Sequence, residues 1–220
     1  MVQEVAETAY YYEFKQGSWE PADWQIVRSP RWTDISHWEQ HEDHIANYVP
    51  ADLRPEDMQM GRDRTGETYL SMLYKKPVTG SIRVETTCLF EERMAPLIVF
   101  SRELTSVHKE HLEVVLYDRG INLWHHFFKN GKPSWKLIGF QDIALEANKP
   151  HHLVAEIRST IKGKFLYMGV DTPSFGTRLA EDWPDEYFAG ITACEGRNRF
   201  FDFAISPVAP LEVMKERISD

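Results

Sequence analysis

Apolar and polar residues alternate with a period of two along most of this chain. Ile82, Val84, Thr86, Cys88 and Phe90 fall on one side of a segment whose other side carries Arg83, Glu85, Thr87 and Leu89. Leu112, Val114 and Leu116 alternate in the same way with Glu113, Val115 and Tyr117. Successive side chains of a β-strand leave opposite faces, so this period predicts strands with one face buried. Residues 8–15, 24–28, 69–74, 81–90, 96–102, 111–117, 121–128, 135–140, 151–158, 164–171, 187–193 and 199–206 read as strands, with a shorter one at 44–49. Turn residues stand between them, among them Asp118-Arg119-Gly120, Asn148-Lys149-Pro150 and Lys162-Gly163. Helical spacing is confined to the tail, where residues 211–218 predict a short amphipathic helix. Residues 33–67 are polar, contain Pro50 and Pro55, and read as long surface loops; residues 172–186 form a further Pro-, Gly- and Asp-containing loop. Short strands joined by turns predict an all-β chain, an antiparallel β-sandwich or jelly roll, as a single domain over residues 1–220.

The stretch from His111 to Trp135, HLEVVLYDRGINLWHHFFKNGKPSW, reads as a hairpin and a following turn. Gly120 supplies the positive φ that a tight turn needs. The second strand places Ile121, Leu123, His125 and Phe127 on one face and Asn122, Trp124, His126 and Phe128 on the other. An amide, an indole and an imidazole in a row suit a sugar, with the ring under the apolar C–H face and the polar groups on the hydroxyls. On this reading Asn122, Trp124 and His126 bind substrate. The alternative is that Trp124 and Phe128 are core and His126 is a satisfied, partly buried histidine.

Other candidates lie at strand ends and on strand faces. Arg102 leaves a central apolar strand and enters a polar loop, where it would contact an anion at the mouth of a cleft. Arg158 shares a face with His152, Val154 and Glu156, and its guanidinium fork fits a uronate carboxylate; on a solvated face it has no such role. A lyase needs a base, a proton donor and a carboxylate neutraliser, which makes His126, with a neighbouring carboxylate or with Tyr117, the candidate catalytic set. His37, His41 and His44 would share one side of a helix and bind zinc there, but their region reads as loop and strand. No metal or other cofactor is therefore expected. Calcium stays open, since loop carbonyls and scattered aspartates can hold it without a motif.

Charge narrows the partners. The 220 residues carry 34 acidic and 25 basic side chains, a net charge of −9, which argues against nucleic-acid binding and against a surface for anionic lipid. No run of 18 apolar residues reads as a membrane span. Cys88 and Cys194 lie on apolar strands outside any metal-binding pattern and are expected to be buried free thiols. The first residues lack the basic and apolar regions of a secretory leader, so a cytoplasmic location is expected.

The closing stretch EYFAGITACEGRNRFFDFAIS, with its Phe201-Asp202-Phe203 core, resembles the ending of concanavalin A-like lectin/glucanase domains. KGKFLYMGVD resembles that superfamily's strand ending in Val-Asp, and GINLWHH resembles a Gly-Ile-Asn-x-aromatic-His strand of the uncharacterised bacterial YesU-type family. The resemblance spans roughly residues 8–206. It implies a concanavalin A-like or galectin-like sandwich and the use of plant cell-wall polysaccharide, pectic rhamnogalacturonan in particular. One sheet is expected to be concave and to turn Trp124 and His126 toward a groove that takes an oligosaccharide. The Glu-x-Asp-x-x-Glu strand of the glucanases is missing, and so is the His-x-Asn-x-Arg strand of the galectins. Tyr187-Phe188-Ala189-Gly190 matches part of one strand of the alginate-type lyases, whose Gln-x-His strand is also missing. Three readings stand: a glycoside hydrolase or polysaccharide lyase, a non-catalytic sugar-binding module, and a homo-oligomer using a sheet face as its interface.

Overall fold

The computed structural model describes residues 10–59, 62–92 and 94–208. Its strands, in chain order, are β1 (Tyr10–Glu13), β2 (Trp24–Val27), β3 (Trp38–Gln40), β4 (Ile45–Asn47), β5 (Leu70–Tyr74) and β6 (Val78–Thr79). There follow β7 (Ile82–Phe90), β8 (Met94–Ser101), β9 (His111–Tyr117), β10 (Gly120–Lys129), β11 (Lys132–Asp142) and β12 (His151–Thr160). The last are β13 (Gly163–Val170), β14 (Phe175–Arg178), β15 (Glu186–Ala193), β16 (Asn198–Phe200) and β17 (Asp202–Pro207). One sheet runs β14-β13-β12-β7-β16-β4-β3, with β17 on β7 and β1 on β17; the other runs β11-β10-β9-β8-β15-β5-β2, with β6 on β15. Every pairing between named strands is antiparallel. The all-β sandwich expected from the period-2 pattern is the fold.

Alternation explains the core. Ile82, Val84, Cys88 and Phe90 of β7 and Leu153, Ala155 and Ile157 of β12 point inward from the first sheet. They meet Leu112, Val114 and Leu116 of β9, Ile121 and Leu123 of β10, and Ile98 and Phe100 of β8 from the second. Each fully buried Val, Leu, Ile or Phe side chain among them contributes roughly 1.5–3 kcal/mol of transfer free energy. Cys88 and Cys194 are both free and buried, and burial pushes both thiols up.

The structure departs from the sequence reading in several places. Residues 172–186 are not all loop: Phe175–Arg178 pairs with β13 as an edge strand, because Phe175 packs against the core. The strand expected over 199–206 is two strands, both paired with β7. It breaks at Phe201, beside which the Asp202 carboxylate accepts the backbone N–H of Thr87 at 2.6 Å. Residues 33–67 hold β3 as well as β4. The helix expected at 211–218 lies outside the described residues.

The β9–β10 hairpin sets the register of the second sheet. Tyr117 pairs with Gly120, which closes the turn at Asp118-Arg119. Gly120 has φ +136°, and a Cβ there would run into the carbonyl of Gln141 on β11. From this turn the ladder counts back to His111 opposite His126.

Candidate functional site

The functional candidates gather on the face of the second sheet that points away from the core. Same-face residues line up in rows across the strands. One row is Trp135, His126, His111, Ser101 and Phe188; the next is Leu137, Trp124, Glu113, Val99 and Gly190; a third contains Asn122, Val115, Leu97, Thr192 and Ser71. Asn122, Trp124 and His126 therefore share one outward face, as the alternation of β10 predicts. Toward β5 this face is apolar, with Val27, Leu73, Ala95, Leu97, Val99 and Val115 forming a second cluster against which Trp124 packs. Toward β11 it stays open: Trp135, Leu137 and Phe140 are each 43% exposed. Contiguous apolar surface of this kind marks a site of interaction.

A polar cluster is set into this apolar surface. Glu113 is buried, with Oε1 3.2 Å from His111 Nε2 and Oε2 2.9 Å from His126 Nε2. The His111 and His126 rings are 4.6 Å apart and 13° from parallel, and His108 stacks on the far side of His111 at 4.2 Å. His108 belongs to the loop after β8 and meets the sheet through Ser71 Oγ at 2.8 Å; Ser71 Oγ lies 2.6 Å from Thr192 Oγ1. Burial pushes the Glu113 carboxyl up, but the imidazoles of His126 and His111 outweigh it and hold the group well below the usual carboxylate range. Burial holds His111 below the ordinary histidine value, against the pull of Glu113. Burial, with His111 beside it, holds His108 well below. Tyr69 is buried, and burial with Glu113 nearby raises its phenol well above the ordinary value.

Two adjoining cavities open at this cluster. The larger, about 100 Å³, has Trp124, Trp135, Arg31, Tyr69, Glu113 and His126 in its wall. The smaller, about 10 Å³, has His111, Glu113 and His126 together in its wall, along with Arg31 and Tyr69. Arg31 reaches both from the segment after β2. Its guanidinium stacks 4.2 Å from the centre of the Trp32 ring and 5.2 Å from that of Trp135, and makes no ion pair among the described residues. A cation held between two indoles at a cavity wall is poised for an anion.

The other sequence candidates lie elsewhere. Arg102 pairs with Glu110 at 3.1 Å and Asp182 at 3.0 Å, beside Trp183, and lines neither cavity. Arg158 is on the opposite sheet, with Nε 2.7 Å from buried Glu156, which also takes Arg83. Tyr117 is six residues from His111 along β9, and so roughly 20 Å from the His126 row at about 3.4 Å per residue; it cannot share a proton transfer with His126. The neighbouring carboxylate is Glu113. Glu113, His111, Arg31, Trp135 and Tyr69 were not singled out by local patterns. The available signal was the register: a turn at 118–119 pairs 117 with 120, and by the same count 111 with 126.

No family model and no curated protein matches the chain. Among solved structures it is similar to a carbohydrate-binding module, CBM66, from Bacillus subtilis, with TM-score 0.54 and 14% identity over 81% of this chain and 91% of that one. It is similar to a seed lectin of Lotus tetragonolobus, with TM-score 0.57 and 8% identity over 90% of this chain and 96% of that one. It is also similar to a GlcNAcα1-4Gal-releasing endo-β-galactosidase from Clostridium perfringens, with TM-score 0.62 and 9% identity over 96% of this chain and 65% of that one. These likenesses define the class: the chain has the lectin-type jelly-roll sandwich.

Proposed function

We propose that the protein binds an acidic oligosaccharide in the Trp124–Trp135 depression on the outer face of the second sheet. The observation that carries the reading is one cavity wall holding two indoles, the guanidinium of Arg31, which makes no ion pair among the described residues, and the polar edge of Glu113 and His126. The indoles suit pyranose faces, Arg31 suits a uronate carboxylate, and the polar edge suits hydroxyls. The similar structures include a binding module, a lectin and a glycosidase by name, which supports a sugar as the ligand class. Among sugars, the Arg31 guanidinium favours a uronate, in line with the pectic substrate that the YesU-type resemblance implies. Calorimetric titration against oligogalacturonides, rhamnogalacturonan fragments and neutral cello-oligosaccharides tests this. Binding to the acidic series with weak or no binding to the neutral one is expected; binding to neither series would end the reading.

A second reading, catalysis, rests on the 2.9 Å contact between His126 and Glu113 at the same wall. An imidazole and a carboxylate there could move the proton that a uronate lyase removes, with Arg31 neutralising the sugar carboxylate. A lyase would release products with the ultraviolet absorbance of an unsaturated uronate, and a binding module would release none.

A further inference from the structure

We propose that His111, Glu113 and His126 hold a divalent first-row transition metal ion, bound through the two Nε2 atoms and one carboxylate oxygen. The argument starts from a hydrogen-bond conflict. His111 Nδ1 lies 3.2 Å from the carbonyl oxygen of Lys109 and Nε2 lies 3.2 Å from Glu113 Oε1, so both ring nitrogens face acceptors. A neutral imidazole has one N–H and can satisfy only one of them. In the neutral ring one lone pair therefore faces an acceptor in a buried position, where an unsatisfied polar contact is costly. A cation between them turns the conflict into two bonds. The Nδ1–H to carbonyl contact is also what orients an imidazole for a metal.

The surroundings fit an ion. The three ligand atoms all lie within 4.8 Å of one another. Donors about 2.1 Å from a tetrahedral ion stand about 3.4 Å apart, so modest side-chain rotation closes the set. The 10 Å³ cavity bordered by all three residues is about one water-sized sphere. Two imidazoles and a carboxylate suit zinc and its first-row neighbours, and not calcium, which takes oxygen ligands. Three protein ligands leave a fourth position for a sugar oxygen or water, and Glu113 and His126 also border the Trp124–Trp135 depression. The site is not built for a structural role, since the ligands sit on two strands already joined by their own ladder. Spacing along the chain gave no reason to expect a metal; cross-strand register gives one. The proposal stands independently of any sugar, and with an ion bound Glu113 and His126 are ligands and not an acid–base pair.

Metal content tests it. The protein is stripped with a chelator, dialysed against zinc or, in parallel, cobalt, and assayed for bound metal, with thermal melts alongside. One equivalent per chain is expected, with a rise in Tm on zinc addition and visible absorption bands on cobalt addition. His126→Ala and Glu113→Gln should bind at least ~100-fold more weakly, beyond the loss that an outer-shell partner produces. Glu113→Gln keeps the shape of the site, so it serves if His126→Ala does not fold. The double variant His41→Ala/His44→Ala, which removes the stacked pair at 4.5 Å elsewhere in the fold, should bind as wild type. A folded wild type that takes up neither zinc nor cobalt overturns the proposal. Uptake that survives Glu113→Gln, or disappears with His41 and His44, overturns it equally.

Discussion

His111 and His126 face each other across the β9–β10 ladder, rings 4.6 Å apart and 13° from parallel, with their Nε2 atoms on opposite oxygens of one buried carboxylate. Neither ring can be understood from its own strand. Glu113 shares a strand face with His111 two residues away, and His126 joins them only through the hairpin register.

The protonation of His111 leads to a prediction about Glu113→Gln in metal-free protein. If the single ring proton of His111 sits on Nδ1, the glutamine amide N–H can donate to its Nε2 while the amide oxygen accepts from His126. The variant should melt within about 3 °C of wild type, or above it. If His111 were a charged partner of Glu113, the same substitution would break a buried pair, at a cost of about 3–5 kcal/mol. Thermal denaturation in the presence of a chelator decides between the two.

Trp135 is the cleaner probe of the depression, because Trp124 packs half-buried against the outer apolar cluster while Trp135 stands outside that cluster and is more exposed. Trp135→Ala should cost about 2 kcal/mol of oligosaccharide binding, the loss of an interface anchor, and shift the melt little. Trp124→Ala should lose binding and stability together, by roughly 1–2 kcal/mol in the melt. Calorimetry paired with melts of both variants checks this.

Arg31 should set the preference for acid. Arg31→Ala is expected to weaken binding of oligogalacturonides about tenfold or more, the effect of removing a charge-assisted hydrogen bond worth about 1.5–3 kcal/mol. Neutral oligosaccharides should be unaffected. Arg31→Lys should recover only part of the loss, since an ammonium lacks the planar fork and stacks less well between Trp32 and Trp135. Equal losses for acidic and neutral ligands would make Arg31 a wall and not a selector.

Arg102→Ala and Arg158→Ala serve as controls from the same sequence reading. Arg102 is held by Glu110 and Asp182, and Arg158 by Glu156 on the other sheet. Neither should change sugar affinity measurably. Loss of Arg158 leaves Glu156, only 1% exposed, with Arg83 alone, so the melt should fall by about 1–3 kcal/mol.

The parts of the fold legible along the chain are those governed by period two. The alternation on β7, β9 and β10 named the core residues and put Asn122, Trp124 and His126 on one face, because a strand's side-chain direction depends on nothing but its own count. What could not be read locally depends on partners distant in sequence. Phe175 looked like loop until it had β13 to pair with and a core to cover. Arg158 looked like a uronate contact, but which face is solvated depends on the sheet it joins. Arg31 and Trp135 are separated by more than a hundred residues and meet only when the segment after β2 folds over the β10–β11 edge. The Glu113 cluster lies between these cases: the Asp118-Arg119-Gly120 turn was legible, and counting out from it pairs His111 with His126.

The proposed binding site is the outer face of the second sheet, at Trp124 and Trp135. The chain has seven tryptophans, at 19, 24, 32, 38, 124, 135 and 183, so their indole N–H signals in a nitrogen–proton correlation spectrum report on separate regions. Trp24 and Trp183 lie in the core between the sheets and serve as internal controls. Titrating an oligogalacturonide should shift the Trp124 and Trp135 signals, and that of Trp32 through Arg31, while those of Trp24 and Trp183 stay in place. Binding that leaves Trp124 and Trp135 unmoved and shifts other indoles instead would contradict the account.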